Sequence, residues 1–366
     1  MKRLAIVYQP RLREHDFGPG HPVRARERLE GFYRALQESG LLESPEVSLL
    51  SPEEPIAEED ILAVHDRSLV ELIQRLSREG GVLDGDTPVP PGTYERTRLQ
   101  AGGFLAAALG VASGQFQRAA QMPAFGGHHA MRRHGPVTFG FCYFNQEAMV
   151  IRHLQRRGLV SRVLVLDTDC HHGNGTQDIF YEDPSVLAIS LHQDPHTLYP
   201  GVSGFVDEIG EGPGRGFNAN LPLPPRTGCA SYLKALSEIF PPLAREFRPD
   251  VIVALLTGDT HFREPLTDFG LGVGCYPQIA GLVCQVADEV CRGRLLAVVS
   301  GGRNLEVGPV IASAIVSTLA GREGPPPQDP CGPPPAEPPG VARAVDEVVI
   351  RLKRLLSPHW ACFRDT

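Results

Sequence analysis

The chain has 366 residues, of which 42% are hydrophobic, and a formal net charge of −8 at pH 7. This length fits one large α/β domain or two small ones. The negative charge disfavours nucleic acid as the main partner, because phosphate binding needs a basic face. The chain lacks an apolar run of the roughly 18 residues that span a membrane, and its first residues do not resemble a signal peptide. We therefore expect a cytoplasmic protein that binds neither nucleic acid nor membrane.

Apolar runs typical of buried strands alternate with helical patterns along the chain. The predicted strands are residues 4–8, 163–166, 186–191, 251–256 and 295–300. The predicted helices are residues 24–40, 68–79, 94–113, 146–158, 230–247, 277–292 and 307–319. This alternation predicts a mainly parallel sheet with helices on both faces.

Residues 321–340, the proline-rich segment, break this pattern, because prolines fix φ and remove hydrogen-bond donors. We interpret the segment as an extended spacer, and a PxxP partner site is the alternative. Apolar residues after it recur on one helical face, which predicts a C-terminal helix within 341–366. This helix should pack back on the main domain, residues 1–320, so we expect one domain rather than two.

The eight cysteines are scattered along the chain and form no C-x-x-C pair. In a cytoplasmic protein of this size we expect them to be free thiols. Cys142 and Cys170 lie next to the motifs described below, and we interpret both as small buried side chains of the core.

The segment at 163–175 carries the strongest functional signal. An apolar strand ends at Asp167, and Asp169 and His171 follow at alternate positions, with His172 next to His171. Alternate side chains of extended backbone share a face, so these groups should converge just past the carboxyl end of the strand. Ligands of α/β sheets bind there. The cluster therefore predicts a metal site.

Three further segments carry candidate residues. His128 and His129 follow a diglycine, which indicates a backbone that approaches another group closely, although buried hydrogen-bonded histidines are common. Asp259 follows a buried strand and is interpreted as a metal ligand or as an N-cap, with His261 as the alternative ligand. The segment at 298–304 is a strand that runs into two glycines, and a surface turn would have the same pattern.

Together these pieces resemble the zinc-dependent deacetylases, a family of histone deacetylases, acetoin-utilisation proteins and acetylpolyamine amidohydrolases. The resemblance covers residues 1–320, and the motifs occur in the family's order. It implies the arginase–deacetylase fold, a single α/β domain whose central, mainly parallel sheet has about eight strands. The matching motifs are GPGHP at 18–22, VHD at 64–66, GVLDGDT at 81–87, GHH at 127–129, GFC at 140–142, Asn145, DTDCHHGNGTQ at 167–177, SLH at 190–192, YPG at 199–201, Asp259 and Gly301-Gly302.

The resemblance implies one catalytic Zn²⁺ held by Asp169, His171 and Asp259. Oxygen and nitrogen ligands, with a fourth position open for water and substrate, are typical of catalytic zinc. Two carboxylates roughly neutralise the charge of the metal. On this interpretation His261 is not a ligand.

The resemblance also implies that His128 and His129 are the general acid–base pair, with His129 as the proton shuttle. Asp167 would orient His128, and Asn174 would orient His129. An asparagine stabilises an imidazolium less than an aspartate does, so His129 should be the easier of the two to keep neutral.

A second, monovalent cation, K⁺ or Na⁺, is implied beside this site. Its ligands would be the side chains of Asp167 and Ser190 and the backbone carbonyl groups of Asp169, His171 and Leu191.

The same resemblance assigns the substrate contacts. Gly140 and Phe141 belong to the acyl-lysine tunnel, and Tyr199 matches its second aromatic wall. Asp86 matches the acid at the rim that holds the substrate backbone. Leu266 lies where polyamine-specific members tend to have an acid, which disfavours a polyamine. The expected partner is acyl-lysine, a polyamine or a small amide, and the sequence does not indicate the oligomeric state.

One position departs from the family pattern. Active members have a tyrosine after the diglycine, and its hydroxyl donates to the oxyanion of the tetrahedral intermediate, whereas this chain has Arg303. Arg303 replaces the tyrosine as donor, or it binds the carboxylate of an acidic acyl group or an amino-acid-like amide. Alternatively, hydrolysis is largely lost and the protein is a weak family member that binds acyl-lysine or a small amide. A fourth interpretation places Arg303 in solvent, with a neighbouring residue in the role of the tyrosine.

Overall fold

The core of the fold is an eight-stranded sheet in which neighbouring strands are parallel. The structure is a computed structural model and describes residues 2–135, 139–300, 302–322, 324 and 327–364. In chain order the strands are β1 (Lys2–Val7), β2 (Val47–Leu50), β3 (Gly81–Val82), β4 (Pro88–Val89), β5 (Phe116–Gln121), β6 (Val163–Asp167), β7 (Val186–Gln193), β8 (Asn218–Leu223), β9 (Val251–Thr257) and β10 (Leu295–Ser300). The sheet has the order β2-β1-β5-β10-β9-β6-β7-β8, and β3 and β4 form a separate antiparallel pair.

Helices cover this sheet in two groups. In chain order they are α1 (Ala25–Glu38), α2 (Glu58–Leu62), α3 (Arg67–Glu79), α4 (Thr93–Ala112), α5 (Gln146–Arg156), α6 (Asn174–Phe180), α7 (Cys229–Phe247), α8 (Tyr276–Cys291), α9 (Gly308–Leu319) and α10 (Val341–Leu356). One group contains α1, α9, α8, α7 and α10 in contact order, and the other contains α3, α4, α5 and α2. The predicted single α/β domain with a parallel sheet and helices on both faces is confirmed. Among the described helices, none combines the length and apolar character needed to cross a membrane.

The strands in the middle of the sheet bring the predicted motifs to one edge. β5, β10, β9, β6 and β7 are neighbours in that order, and candidate residues lie in each of these strands or in the segment that follows it. β6 and β9 are apolar runs buried along their whole length, as expected for strands covered on both faces. Ligands of parallel α/β sheets bind at the carboxyl edge, so this topology positions the site. Gly301, the first glycine of the predicted diglycine, lies outside the described residues.

The described part of the proline-rich segment has neither helix nor strand. It lies against the main body through two carboxylates. Asp329 accepts a hydrogen bond from His261 (2.9 Å), and Glu337 accepts hydrogen bonds from the Gly228 N–H (2.6 Å) and the Ser231 hydroxyl (2.8 Å). α10 then packs on α7 and β8. The buried residues of α10 are Val345, Val349, Leu352 and Leu356.

Two of the eight cysteines form a disulfide, so the expectation of free thiols is wrong for Cys229 and Cys275. Their Cα atoms lie 5.7 Å apart, although 46 positions separate them in the chain. Cys229 begins α7, and Cys275 ends the 3₁₀-helix Val273–Cys275 just before α8. Only the tertiary fold brings the two together, so their spacing carries no local signal. Cys142 and Cys170 are free and buried, as expected.

His65 is a buried ring whose two nitrogens have fixed roles. Its Nδ1 donates to the carbonyl oxygen of Met131 (2.9 Å), and its Nε2 accepts the N–H of Asn145 (2.9 Å). Burial lowers the pKa of His65 to about 4. A proton on Nε2 would face the Asn145 N–H, so the ring is neutral in the folded protein.

We expect the protein to lose stability as the pH falls from 6.5 toward 4. In the unfolded chain His65 takes up a proton in this window, whereas the folded ring does not, so protons favour unfolding. The contribution of His65 is fully present above pH 6.5, and its loss is on the order of 2 kcal/mol by pH 5. His65→Gln should therefore flatten the pH dependence of the free energy of unfolding, measured with urea between pH 7 and pH 5.

His359→Gln, which replaces an exposed histidine, is the matched control and should keep the wild-type pH dependence. An equally steep dependence in His65→Gln would show that the buried ring does not cause the loss.

Candidate active site

Three predicted side chains meet at the carboxyl ends of β6 and β9. His171 Nδ1 lies 3.0 Å from Asp169 Oδ1 and 3.1 Å from Asp259 Oδ2. One ligand atom from each residue lies within 4.8 Å of the others, and each side chain is exposed by 15% or less. His261 is outside this group, and its Nε2 instead lies 2.9 Å from an oxygen of Asp329.

Hydrogen bonds fix the orientation of the two carboxylates. Asp169 Oδ1 accepts the N–H of His171 (2.9 Å). Asp259 Oδ1 accepts the N–H of Cys170 (3.0 Å) and the hydroxyl of Thr257 (2.8 Å), which leaves its Oδ2 directed toward His171. Oxygen and nitrogen donors are those that catalytic zinc takes, and two carboxylates roughly balance a divalent charge. The donor set fits zinc by both type and charge.

The adjacent histidines lie beside this cluster, and each is held by a polar side chain. His128 Nδ1 lies 2.8 Å from Asp167 Oδ2, and His129 Nδ1 lies 2.7 Å from Asn174 Oδ1. An amide oxygen can only accept, so His129 carries its proton on Nδ1 and keeps Nε2 as an acceptor. At Gly127, before the pair, a Cβ would lie 3.1 Å from the backbone nitrogen of Gln146 and 3.2 Å from the carbonyl oxygen of Phe144, so the close backbone approach favours glycine.

Burial and charge give the two histidines opposite pKa shifts. Burial alone would lower the pKa of His128, but the carboxylates of Asp167 and Asp169 outweigh burial and raise this pKa to about 10. Burial, together with the neighbouring His128 and His171, lowers the pKa of His129 well below 6.5. His129 is therefore neutral at neutral pH and able to accept a proton.

Gly140 and Tyr199 lie against the His129 ring, and Phe141 follows Gly140 in the chain. The ring of Tyr199 meets that of His129 edge to face, with centroids 4.8 Å apart. A Cβ at Gly140 would lie 2.5 Å from His129 Cδ2 and 3.1 Å from Tyr199 Cε1, and φ there is +51°, so this position requires glycine. Phe141 packs edge to face against His21, with centroids 4.6 Å apart.

Asp86 lies next to this aromatic group, because its carbonyl oxygen accepts a hydrogen bond from His21 (3.3 Å). Its carboxylate accepts the hydroxyl of Thr87 (2.9 Å). Burial and the neighbouring Asp84 raise the pKa of Asp86 to about 6, so it is ionised above that pH. Leu266 is 41% exposed and carries no charge.

Asp167 and Ser190 are paired in register on the neighbouring strands β6 and β7. Leu191 continues β7, and Asp169 and His171 follow β6. The groups predicted to bind a monovalent cation therefore come from two adjacent strands of the sheet.

A small cavity of about 70 Å³ connects the Asp169–His171–Asp259 cluster, the histidine pair and Arg303. Most of the predicted catalytic and metal-binding residues line it. They are His128, His129, Asp169, His171, Asp259 and Arg303, together with Gly140 and Phe141.

Arg303 points into this cavity. Its side chain is only 13% exposed, so the interpretation that places it in solvent is wrong. Nη1 lies 3.1 Å from Glu264 Oε1 and 4.0 Å from Asp259 Oδ2, and Cζ lies 5.5 Å from the centroid of the Phe141 ring. Burial alone would lower the pKa of Arg303, but Glu264 and Asp259 raise it, so the guanidinium stays charged.

Glu264 is a site residue that the sequence analysis did not identify. Its side chain is fully buried, and it accepts the N–H groups of Arg303 (2.9 Å) and Asn304 (3.3 Å) as well as the guanidinium. It lies in the loop after Asp259, where the sequence pattern predicts an ordinary, solvent-exposed acidic residue. Only its contact with a segment 39 positions away reveals its role.

These residues lie within a stretch that matches known proteins. The histone deacetylase domain model matches residues 21–319. A probable deacetylase from Archaeoglobus fulgidus is 36% identical over 367 residues, covering 98% of this chain and 99% of the relative. The acetoin utilization protein AcuC of Bacillus subtilis is 32% identical over 314 residues, covering 83% and 79%. The crystal structure of the HDA15 HD domain superposes with a TM-score of 0.86 at 26% identity, covering 100% of this chain and 98% of that one. The chain therefore belongs to the histone deacetylase family.

Proposed function

We propose that this protein is a zinc-dependent amidohydrolase that removes a short, uncharged acyl group from an N-acyl amine such as acyl-lysine. The observation that carries this proposal is the convergence of three elements on one cavity. A divalent-cation cluster, a neutral histidine and a buried guanidinium all line it. These are the parts that amide hydrolysis needs: an electrophilic centre, a base and an oxyanion donor.

His129 is the residue we assign to proton transfer. Its Nε2 is free to accept a proton from the attacking water, because Nδ1 is engaged by Asn174. The same nitrogen would then donate the proton to the leaving amine. Asp169, His171 and Asp259 would hold zinc, which when bound would polarise the amide carbonyl and lower the pKa of a water molecule.

Arg303 is assigned as the donor to the oxyanion that forms on the acyl carbon. Its Nη1 lies 4.0 Å from the Asp259 oxygen that faces the metal cluster, so it reaches the side of the cavity where that charge develops. A guanidinium is permanently charged and is a strong donor. Glu264 holds it in place through its contacts to both the side chain and the backbone of Arg303.

Two features favour a short acyl group without a charge. The carboxylate of Glu264 already pairs with Arg303, so a second carboxylate from an acidic acyl group gains less there. The cavity of about 70 Å³ is well below the roughly 300–1,000 Å³ of ordinary ligand pockets. An acetyl group suits this space better than a succinyl group. The uncharged Leu266 favours an acyl-lysine or a small amide over a polyamine.

The proposal also includes the monovalent cation. Potassium or sodium would be held by Asp167, Ser190 and the carbonyl groups of Asp169, His171 and Leu191. The register pairing of Asp167 with Ser190 supports this arrangement.

A panel of acyl-lysine peptides tests the proposed reaction. We expect the zinc-loaded protein to hydrolyse acetyl- and trifluoroacetyl-lysine peptides faster than a succinyl-lysine peptide. His129→Ala should lower the rate by about 10²–10⁴-fold, which is the usual loss when a general acid–base residue is removed. Amine release measured by mass spectrometry gives the rates.

His359→Ala, on the exposed surface, is the matched control and should keep the wild-type rate. If the wild type binds zinc and acyl-lysine but releases no amine, the protein is a binder and not a hydrolase. A preference for the succinyl peptide would instead show that Arg303 binds the carboxylate of the acyl group.

A further inference from the structure

His261 and the proline-rich segment meet each other, and neither has a role in the site described above. His261 follows Asp259 by two positions and is 1% exposed. Its Nδ1 accepts the backbone N–H of Arg263 (3.1 Å), so the ring proton is on Nε2. That Nε2–H donates to Asp329 Oδ2 at 2.9 Å, across 68 positions of sequence.

Asp329 uses both carboxylate oxygens to join separate parts of the chain. Oδ2 also accepts the N–H of Val273 (3.0 Å), at the start of the 3₁₀-helix Val273–Cys275. Oδ1 accepts the N–H of Cys331 within the proline-rich segment (2.9 Å). The side chain of Asp329 is only 12% exposed. One partly buried carboxylate therefore ties the segment to the loop after β9 and to the 3₁₀-helix before α8.

The loop that His261 belongs to carries two groups of the site. Asp259 faces the metal cluster, and Glu264 holds Arg303. His261 is the middle of this short turn, because its N–H donates to the Gly258 carbonyl (3.2 Å) and its own carbonyl accepts the Glu264 N–H (2.9 Å). A displacement of His261 would therefore move a metal ligand and the Arg303 partner together.

We propose that Asp329 is a positioning residue that acts through His261 to fix the loop 258–264. The inference rests on the proposed function, since it concerns how that same site is held. Groups that orient metal ligands from outside the coordination sphere typically change metal affinity or activity by 10–100-fold when removed. The prolines around Asp329 limit the backbone conformations of the unfolded chain. Less conformational entropy is therefore lost when folding holds the Asp329 carboxylate against His261. The proline-rich segment is in this view a clamp on the active-site loop, and not only a spacer.

Asp329→Ala should loosen this loop and weaken zinc retention about ten-fold. Two readouts separate these effects. Hydrogen–deuterium exchange of the metal-free protein reports the mobility of peptides covering 258–264. Competition with a chromophoric chelator reports zinc affinity. Asp329→Asn keeps one oxygen for His261 and should restore most of the zinc affinity.

Glu337→Ala is the matched control. It removes the other carboxylate that anchors the segment, but Glu337 bonds to Gly228 and Ser231 and not to the metal-binding loop. It should leave both the exchange of 258–264 and the zinc affinity at wild-type values. Equal effects of Asp329→Ala and Glu337→Ala, or no change in 258–264 with Asp329→Ala, would overturn the proposal. A wild type that binds no zinc would refute the proposed function, while the exchange measurement would still decide the role of Asp329.

Discussion

Replacing Asp259 with asparagine is expected to remove zinc from the protein and to lower amide hydrolysis by on the order of 10³-fold or more. The change keeps the shape of the side chain. Its oxygen can still accept from the Cys170 N–H and the Thr257 hydroxyl, as Asp259 Oδ1 does. The amide nitrogen then faces His171 and the metal position, where it is a donor and cannot serve as a ligand. The site also loses one of the two charges that balance a divalent cation.

Zinc content by elemental mass spectrometry and hydrolysis of an acetyl-lysine peptide measure this effect. Asp346→Asn makes the same chemical change on the exposed face of α10, where Asp346 pairs with Lys234. An exposed ion pair is worth about 0–1 kcal/mol, so this variant should fold normally and keep both zinc and activity. If Asp259→Asn retains stoichiometric zinc, then the Asp169–His171–Asp259 cluster is not the metal site.

The parts of the fold that periodicity predicts are those buried on both faces. β6, β7 and β9 are mostly apolar and buried along their whole length, and their bounds in the structure match the prediction closely. β5 lies in the middle of the sheet, yet its sequence FQRAAQ has no such run. Arg118 is buried there because it pairs with Asp288 (2.8 Å) and donates to the Leu319 carbonyl (3.0 Å). Both partners come from distant helices, so the sequence of the strand does not reveal its burial.

The strands β2 and β8 were also not predicted, for a different reason. They are the two edges of the sheet, and each has only one neighbour. β2 has four residues with partial burial, and β8 contains Pro222. Edge strands tolerate proline and short length because one side makes no ladder hydrogen bonds. The signals that define a central strand are therefore weak or missing at these edges.

In the candidate site, too, some residues could be predicted from the sequence around them, and others depend on contacts with distant segments. Asp169, His171 and Asp259 each follow a strand of one parallel sheet, and the family resemblance grouped the three as ligands. Glu264, by contrast, gains its role from Arg303, and His261 gains its role from Asp329. These contacts join segments that no periodic pattern connects. The sequence therefore predicted the Asp169–His171–Asp259 cluster, but not the contacts of Glu264 and His261 beside it.

The family resemblance aligns Arg303 with the tyrosine of active members, and replacement of Arg303 should separate the hypotheses about it. Arg303→Ala is expected to lower kcat by about 10²–10³-fold, the usual loss when one oxyanion donor is removed. Because the contact is stronger in the transition state than in the bound substrate, kcat/KM should fall by the same factor. Arg303→Lys keeps a charged donor and should retain part of the activity. If Arg303 instead binds a carboxylate of the substrate, lysine cannot replace its bidentate guanidinium, and the activity should be lost.

Arg263→Ala is the control for this series. Arg263 lies on the active-site loop but is exposed and stacks on Phe262, 5.5 Å from its ring centroid, so its removal should leave kcat unchanged. Arg303→Tyr completes the test, since it restores the usual family residue beside Glu264. Activity in both the wild type and Arg303→Tyr would show that two different donors can serve the same oxyanion. If the wild type does not hydrolyse these amides and Arg303→Tyr does, then the arginine blocks their hydrolysis. In that case the buried Arg303–Glu264 pair has converted a hydrolytic site into one that binds its ligand intact.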